Sequence, residues 1–417
     1  MRSVSVRRIL VYTGKGGTGK TTIAAATAAL VARRGIRTLA ISTDPAHSLG
    51  DAYDCKLEDN PIEIAPNLFG RQVEGTARLE KDWGVIRNQV AALLDWAGAD
   101  SLDAEELAIL PGLEELFTLA DLVDYYRKNE YDAVIVDAAP TAETLRLLAI
   151  PEILRWWMST VWPVGRGLAK VVRPVVTRVS SMPFASDEAL DAAEDLYERI
   201  LAAHGLLSDP SITSVRLVFN AEKVVLAETR RTYTYLCLFG YPVDAIIANK
   251  LVSSVDGAIS GESQLLESLR QREMRWIEQA KRDFEGMTML ECPYCPEEPV
   301  GVEKLVRLGE NVYRDLDPLA TYGGVDTMEM FADGNTAFLR IFLPLTKKKD
   351  IDVYRKGSEL YVRVGEYTRN IHLPHSLARR KLESARYRDS RLVIAFSGNR
   401  TRAEAFSDEG TSQEDRR

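Results

Sequence analysis

The feature that most constrains the fold is a glycine-rich stretch near the start of the chain, GKGGTGKT at residues 14–21. It follows the apolar run RILVYT and precedes the alanine-rich run TTIAAATAALVARRG, so it connects a strand to a helix. Its spacing matches G-x-x-x-x-G-K-[ST], in which backbone N–H groups and a helix N-terminus surround phosphate oxygens. The sequence therefore predicts a phosphate-binding loop for a nucleotide.

This loop predicts a nucleoside triphosphate and Mg²⁺ as ligands. Lys20 is expected to reach the β- and γ-phosphates, and the Thr21 hydroxyl to hold Mg²⁺. The residues expected to surround the nucleotide are Gly14, Lys15, Gly16, Gly17, Thr18, Gly19, Lys20, Thr21 and Thr22. The motif requires one lysine, which is Lys20, so the pattern assigns no role to Lys15.

Apolar β-branched runs alternate with helical patterns up to about residue 318. The runs TLAIST, YDAVIVD, VRLVFN, DAIIAN and MTMLE suit strands that are buried on both faces. Helices between them imply right-handed crossovers. We predict an α/β, doubly wound, mainly parallel sheet over residues 1–320, with helical insertions near 75–128 and 141–207.

The pattern changes after residue 326. Period-two alternation and turn pairs such as DGN and KGS predict an all-β region over residues 327–398. The polar stretch 399–417 is expected to be a disordered tail. The predicted order is a nucleotide-binding α/β domain, a small β-sandwich and a tail.

Two carboxylates end predicted strands on the ligand side of the sheet. Asp44 in STDPAHSL is placed to orient an attacking water, and Asp137 in VIVDAAP is placed to organise the metal. Taken alone, each is also explained as a turn or helix-cap aspartate.

The three motifs GKGGTGKTT, STDPAHSL and DAAPTAETLRLL occur in an order that resembles the arsenite-pump and tail-anchored-protein targeting ATPases. The resemblance covers about residues 7–318. It implies that Lys15 is a signature lysine that reaches the partner's nucleotide across a homodimer. It also implies that Asp44 is the catalytic aspartate of a first switch and that Asp137 lies in a second.

The same resemblance extends to the nucleoside. It implies that Glu222 contacts the ribose or the partner subunit, and that Asn249 recognises adenine. Pro293 and Cys295 would flank the base. The sequence departs from the family at Ala138 and Glu143, where relatives carry threonine and histidine. Whether the second switch still relays the ATP state to the helical insertions is therefore an open question.

The region LRIFLPLTKKKDIDVYRKGSELYVRVGEYTRNIHLP resembles the α-crystallin domain of small heat-shock proteins. The resemblance implies a partner-binding β-sandwich, and a purely stabilising sandwich is the alternative. The cluster Trp156, Trp157 and Trp162 is interpreted either as core or as part of an apolar groove for a client helix.

The cysteine pair Cys292 and Cys295 has the C-x-x-C spacing of half a zinc site, but plain loop residues are the favoured interpretation. Only four cysteines occur, which is typical of a reducing compartment. No run of about 18 apolar residues predicts a membrane span. The apolar run near the N-terminus is too short for a signal peptide. We therefore expect a cytoplasmic protein. The net charge of −8 disfavours nucleic acid as a partner.

The predicted function is that of an ATP-hydrolysing homodimer whose closure controls the binding of a hydrophobic client, such as a tail-anchored membrane segment. A membrane receptor is a further expectation. The alternatives are an arsenite-type anion-pump ATPase and a holdase acting through the C-terminal domain. A ParA-like positioning ATPase is disfavoured by the acidic charge and the long insertions.

Overall fold

The computed structural model describes residues 7–43, 48–72, 113–138, 187–252 and 264–397. These residues divide into two compact units. One lies within Met1–Tyr233 and Tyr241–Gly324, and the other within Thr234–Gly240 and Val325–Arg417. The segment Thr234–Gly240, which the sequence did not associate with the C-terminal region, belongs to the second unit.

The first unit is built on one eight-stranded sheet with the order β3-β4-β2-β5-β1-β6-β7-β8. Every neighbouring pair is parallel except β3 and β4 at one edge. The strands are β1 (Arg8–Thr13), β2 (Thr38–Ser42), β3 (Ile62–Ala65), β4 (Leu68–Gln72), β5 (Ala133–Asp137), β6 (Thr213–Asn220), β7 (Val243–Leu251) and β8 (Thr288–Pro293). The mainly parallel α/β sheet is confirmed.

Seven helices of the described residues accompany this sheet, and the last part of one of them falls in the second unit. They are α1 (Lys20–Arg33), α2 (Ser48–Tyr53), α3 (Leu113–Lys128), α4 (Asp187–Ser208), α5 (Lys223–Phe239), α6 (Gln264–Asp283) and α7 (Val302–Tyr313). Helices α3 and α4 fall in the two expected insertions, and the rest of those insertions lies outside the described residues. Trp156, Trp157 and Trp162 also lie outside them.

Helix α1 is buried along almost its whole length because its alanines allow close approach to the sheet and to α7. Burying so small a residue removes no polar group and costs no rotamer freedom. The phosphate-binding loop is thus attached to the most enclosed helix of the described part of this unit.

Two strands, β3 and β4, were not predicted. Arg71 and Gln72 in β4 are polar but buried, which hid the strand pattern. Arg71 is fully buried because its guanidinium donates to Asp121 at 2.8 Å and to Asp59 at 2.7 Å. A buried cation is tolerated where such partners replace water.

The second unit contains two antiparallel sheets, in the orders β14-β15-β10-β9 and β11-β12-β13. Its elements are β9 (Met328–Asp333), β10 (Thr336–Phe342), a 3₁₀ turn (Lys348–Asp350), β11 (Ile351–Lys356), β12 (Glu359–Val364), β13 (Tyr367–His372), α8 (His375–Ala378), β14 (Lys381–Arg388) and β15 (Arg391–Ser397). The all-β region is therefore confirmed as an antiparallel sandwich region. The expected disordered tail lies outside the described residues.

Contacts within this second unit also involve the segment Thr234–Gly240. Thr234 Oγ1 donates to the carbonyl of Pro344 at 2.7 Å, and Arg369 donates to the carbonyl of Leu238 at 2.6 Å. The rings of Tyr235 and Tyr367 have centroids 4.0 Å apart. Sequence periodicity does not reveal such a contribution, because these residues continue the pattern of a helix.

Candidate functional site

The glycine loop lies between β1 and α1, at the carboxyl edge of the parallel sheet. This edge is where open α/β sheets bind ligands. Gly14 approaches the backbone so closely that a Cβ there would collide with the carbonyl of Val218. Gly19 has φ of 87°, and a Cβ there would collide with the side chain of Asn249. Both positions require glycine, which explains this part of the motif sterically.

The loop has an outer and an inner side. Lys15, Gly16 and Gly17 are exposed, whereas Thr18 and Lys20 are buried. The loop is closed by Thr18, whose N–H and hydroxyl both donate to the Lys15 carbonyl, at 3.3 and 2.8 Å. The two lysines of the motif therefore have different environments. The exposed Lys15 side chain is available to another molecule, and the buried Lys20 belongs to its own loop.

Asp137 lies at the carboxyl end of β5 with about 1% of its surface exposed. Its Oδ2 accepts hydrogen bonds from Thr21 Oγ1 at 2.7 Å and from Ser42 Oγ at 3.3 Å. Thr21 Oγ1 also lies 3.3 Å from Ser48 Oγ. The structure thus brings together the expected metal-binding hydroxyl and the expected second-switch carboxylate.

This arrangement fits Mg²⁺. Magnesium prefers oxygen ligands and keeps several waters. The Thr21 hydroxyl donates a hydrogen bond to Asp137, so the lone pairs of Thr21 Oγ1 are left to face a cation. A buried carboxylate hydrogen-bonded to the ligating hydroxyl is the kind of outer partner that orients metal ligands. Thr21 would hold the ion directly, and Asp137 would orient Thr21.

Asn249 also reaches the phosphate loop. Its Nδ2 donates to the Thr18 carbonyl at 2.7 Å, and its side chain is buried. The adenine contact of Asn249 stays a prediction, and the amide links the end of β7 to the loop. The next residue, Lys250, donates from Nζ to the Gly17 carbonyl at 3.1 Å. Sequence reasoning did not identify Lys250, which lies within β7 at an irregularity of the strand pairing.

Glu222 is exposed at the start of α5. It borders an open cleft of about 740 Å³ between the first turn of α5 and one face of α6. The other residues that line this cleft are Lys223, Val224, Arg272, Arg275, Trp276, Glu278, Gln279 and Arg282. The described structure gives no contact between Glu222 and the phosphate loop, so its role in contacting ribose or a partner stays a prediction.

Comparison with known proteins decides the family. Residues 7–314 match the family described as anion-transporting ATPase, and residues 334–396 match the HSP20-like domain found in ArsA. The chain belongs to the anion-transporting ATPase family. The resemblance drawn from the three motifs is therefore confirmed, as is the resemblance of the C-terminal domain to small heat-shock proteins.

Individual relatives support this assignment. The chain is 33% identical over 397 residues to "Putative arsenical pump-driving ATPase 1" of Aquifex aeolicus, covering 94% of this chain and all of that protein. It is 33% identical over 395 residues to a "Putative arsenical pump-driving ATPase" of Chlorobaculum tepidum, covering 93% and 96%. "ATPase GET3A" of Arabidopsis thaliana is 28% identical over 326 residues, covering 76% of this chain and 86% of its own.

The remaining expected site residues lie in this family member as follows. Asp44 is outside the described residues, as is Glu143. Ala138 is buried, and its N–H donates to the Tyr12 carbonyl at 3.0 Å. Pro293 ends β8, and Cys295 is half-buried beside the core that contains α1 and α7. The contacts of Pro293 and Cys295 with the base stay predictions.

The cysteine pair has the character of loop and core residues. Cys292 is buried, and its thiol lies 3.6 Å from the Pro293 carbonyl. Burial, reinforced by the neighbouring Cys295, raises the pKa of the Cys292 thiol to about 12. Among the described residues, which include all four cysteines, no three His, Cys, Asp or Glu side chains are grouped to hold a metal ion. The described residues therefore supply no such group within one chain, and a zinc site to which a second subunit adds two cysteines stays an alternative.

Proposed function

We propose that this chain binds and hydrolyses ATP with Mg²⁺ and works as a homodimer. The observation that carries the proposal is the hydrogen bond from Thr21 to the buried carboxylate of Asp137, made at the start of a phosphate-binding loop. This hydrogen bond links the loop that would bind the triphosphate to the end of β5, which would respond to the bound nucleotide. The family match supports the same reaction.

In this proposal each expected site residue has a definite task. The loop N–H groups and Lys20 bind the phosphates and stabilise the charge that develops during transfer. Mg²⁺, when bound, neutralises the β- and γ-phosphate oxygens. Asp137 keeps the Thr21 hydroxyl oriented, and Asp44 would orient the attacking water. Lys15 would reach the nucleotide of the partner, because its own loop leaves it exposed.

We further propose that ATP-driven closure of the dimer controls the binding of a hydrophobic helix. This part rests on the resemblance to tail-anchored-protein targeting ATPases. No helix of the described residues is long and apolar enough to cross a bilayer. A membrane receptor is a further part of this proposal.

The test uses the Asp44→Asn variant, which is expected to bind ATP without hydrolysing it. The full-length variant is mixed with a purified test protein that ends in an apolar helix, with ATP or with ADP. The matched control is the same test protein with three charged residues placed in that helix. ATP-dependent capture of the apolar form alone supports the proposal, and equal capture of both forms contradicts it.

An anion pump is the second candidate, because two relatives carry the name arsenical pump-driving ATPase. Trivalent arsenic binds thiolates, yet the described residues show no grouping of three cysteines within one chain. Cys237 and Cys292 are both buried. Hydrolysis that rises several-fold with arsenite or antimonite would favour the pump, and unchanged hydrolysis would remove it.

A further inference from the structure

Lys250 adopts an unusual backbone conformation at the end of β7. Its φ is 60°, in the left-handed region that lysine seldom occupies. Its N–H donates to Asn249 Oδ1 at 2.9 Å, and its Nζ donates to the Gly17 carbonyl at 3.1 Å. Such outliers persist where surrounding structure enforces them, and they are concentrated at functional sites.

An irregularity in the sheet explains how this conformation arises. Ala248 pairs with Glu291 on β8, whereas Leu251 pairs with Pro293. Three steps along β7 therefore correspond to two along β8, so β7 contains one extra residue. On its other side Asn249 still pairs with Asn220 of β6. Bulges of this kind bend a strand and redirect side chains next to active sites.

The bulge directs two adjacent side chains to two adjacent carbonyls of the phosphate loop. Asn249 holds the Thr18 carbonyl at 2.7 Å, and Lys250 holds the Gly17 carbonyl at 3.1 Å. A loop that binds anions must present N–H groups to them and turn its carbonyl oxygens away. The Thr18 carbonyl held by Asn249 fixes the peptide plane that carries the Gly19 N–H. The Gly17 carbonyl held by Lys250 fixes the plane that carries the Thr18 N–H, which closes the loop by donating to the Lys15 carbonyl.

The bond from Lys250 differs from the bond from Asn249 because it carries a charge. At comparable geometry, a hydrogen bond from an ammonium group is stronger than one between neutral groups. Lys250 also adds a positive charge beside the outer side of the loop, where Lys15 is exposed. Both effects favour a loop that is already arranged for a polyphosphate.

We propose that Lys250 is a positioning residue that orders the phosphate loop for nucleotide binding. This inference rests on the proposed function, since it requires that the loop bind ATP. Lys250 acts on the affinity for ATP and ADP and leaves the chemical step unchanged. The strained backbone is retained because it aims the ammonium group at Gly17.

Two substitutions distinguish the effect of the ammonium group from the effect of the backbone conformation. Asparagine accepts the left-handed conformation better than most residues, so Lys250→Asn keeps the bulge and removes the cation. Lys250→Arg keeps a cation that can donate to the Gly17 carbonyl. Lys128→Asn is the matched control, because Lys128 is an exposed lysine at the end of α3, ahead of the amino end of β5.

The measurement is calorimetric titration of each full-length variant with MgADP and with ATP, together with steady-state hydrolysis. We expect Lys250→Asn to raise the Kd for both nucleotides about tenfold, as loss of one charge-assisted hydrogen bond would. Its kcat at saturating ATP should stay within about twofold of wild type, as uniform binding predicts. Lys250→Arg should recover most of the affinity, and Lys128→Asn should behave as wild type.

Ionic strength gives a readout that a purely structural role would not change. The affinity gap between wild type and Lys250→Asn should narrow as salt rises, because an exposed charge is screened. A wild-type Kd in Lys250→Asn, or a loss of kcat with unchanged affinity, would overturn the inference. The inference would also be overturned if the difference in Kd did not change with salt and Lys250→Arg did not recover affinity. If wild-type protein binds neither nucleotide, the proposed function itself fails.

Discussion

At the scale of single residues, Asp137 is the carboxylate that organises the proposed metal site. Replacing Asp137 with asparagine keeps the shape but removes the charge and weakens the acceptor for Thr21. Loss of an outer partner of a metal ligand costs about 10–100-fold in metal affinity or activity. We therefore expect Asp137→Asn to raise the Mg²⁺ concentration needed for half-maximal hydrolysis by about that factor, measured by titrating MgCl₂ at fixed ATP.

The control for this prediction is Asp54→Asn. Asp54 is exposed after α2 and has φ of 56°, a conformation that asparagine adopts readily. Hydrolysis and its Mg²⁺ dependence should be unchanged in this variant. A normal Mg²⁺ dependence in Asp137→Asn would show that Thr21 does not depend on Asp137 for its orientation.

Cys292 gives a pH prediction at the same scale. Its thiol pKa of about 12 lies well above the ordinary value, chiefly because the side chain is buried. A raised pKa means less thiolate at a given pH, so at pH 8 about one molecule in ten thousand carries the reactive form. Iodoacetamide at pH 8 should leave Cys292 unmodified in the folded protein and modify it in urea, as read by mass spectrometry.

Rapid labelling of Cys292 in the folded protein would contradict this picture. It would mean that the thiol is accessible and ionised, as a zinc-binding cysteine must be. Cys295 provides an internal comparison because it is only half-buried, although burial raises its pKa as well.

At the scale of elements, the sequence predicts those strands and helices whose apolar residues recur at a regular spacing. The strands β1, β2, β5, β6, β7 and β8 are mainly apolar, so their approximate positions could be read directly. Strand β4 could not be read, because Arg71 and Gln72 are polar yet buried through contacts with residues distant in sequence. The burial of Arg71 depends on Asp121, which lies 50 residues away.

The candidate site shows the same division. The loop glycines, Lys20, Thr21 and Asp137 were predictable because a fixed spacing or a strand end places each of them. Lys250 was not, because its position depends on a bulge that appears only when β7 is paired with β8. Pairing between strands determines such irregularities, and no local sequence rule reports them.

The second unit supplies a prediction about one contact. Arg369 is buried, and its guanidinium donates to the Leu238 carbonyl at 2.6 Å. Replacing it with methionine leaves that carbonyl without this charged donor, and a buried unsatisfied group costs about 1–3 kcal/mol. We expect Arg369→Met to lower the unfolding midpoint of this unit and to speed amide exchange around residues 235–240.

Arg363→Met is the matched control. Arg363 pairs with Asp352 at 2.9 Å, but both side chains are 55% exposed. Exposed pairs contribute about 0–1 kcal/mol. Equal destabilisation by the two substitutions would mean that the Leu238 contact does not hold the segment in place.

At the scale of the whole molecule, the two loop lysines predict an assembly. Lys20 is buried in its own loop, whereas Lys15 is exposed beside it. Lys20→Ala should therefore lose tight ATP binding, measured by calorimetry. Lys15→Ala should keep appreciable binding but lose hydrolysis, because the nucleotide that it serves would belong to the partner.

Mixing two inactive variants tests that assignment directly. In a mixed dimer of Lys15→Ala with Asp44→Asn, the Lys15→Ala subunit still has Asp44 and receives Lys15 from its partner. One complete site therefore forms per mixed dimer if Lys15 acts across the interface. With random exchange in a symmetric dimer, an equimolar mixture should recover about a quarter of wild-type hydrolysis.

If Lys15 serves the nucleotide in its own subunit, every site in the mixture lacks one essential group. Hydrolysis would then stay at the level of the separate variants. Light scattering with ATP must show dimers in both preparations, because exchange requires the dimer to form. Dimers that exchange without any recovery of hydrolysis would exclude a catalytic role for Lys15 across the interface.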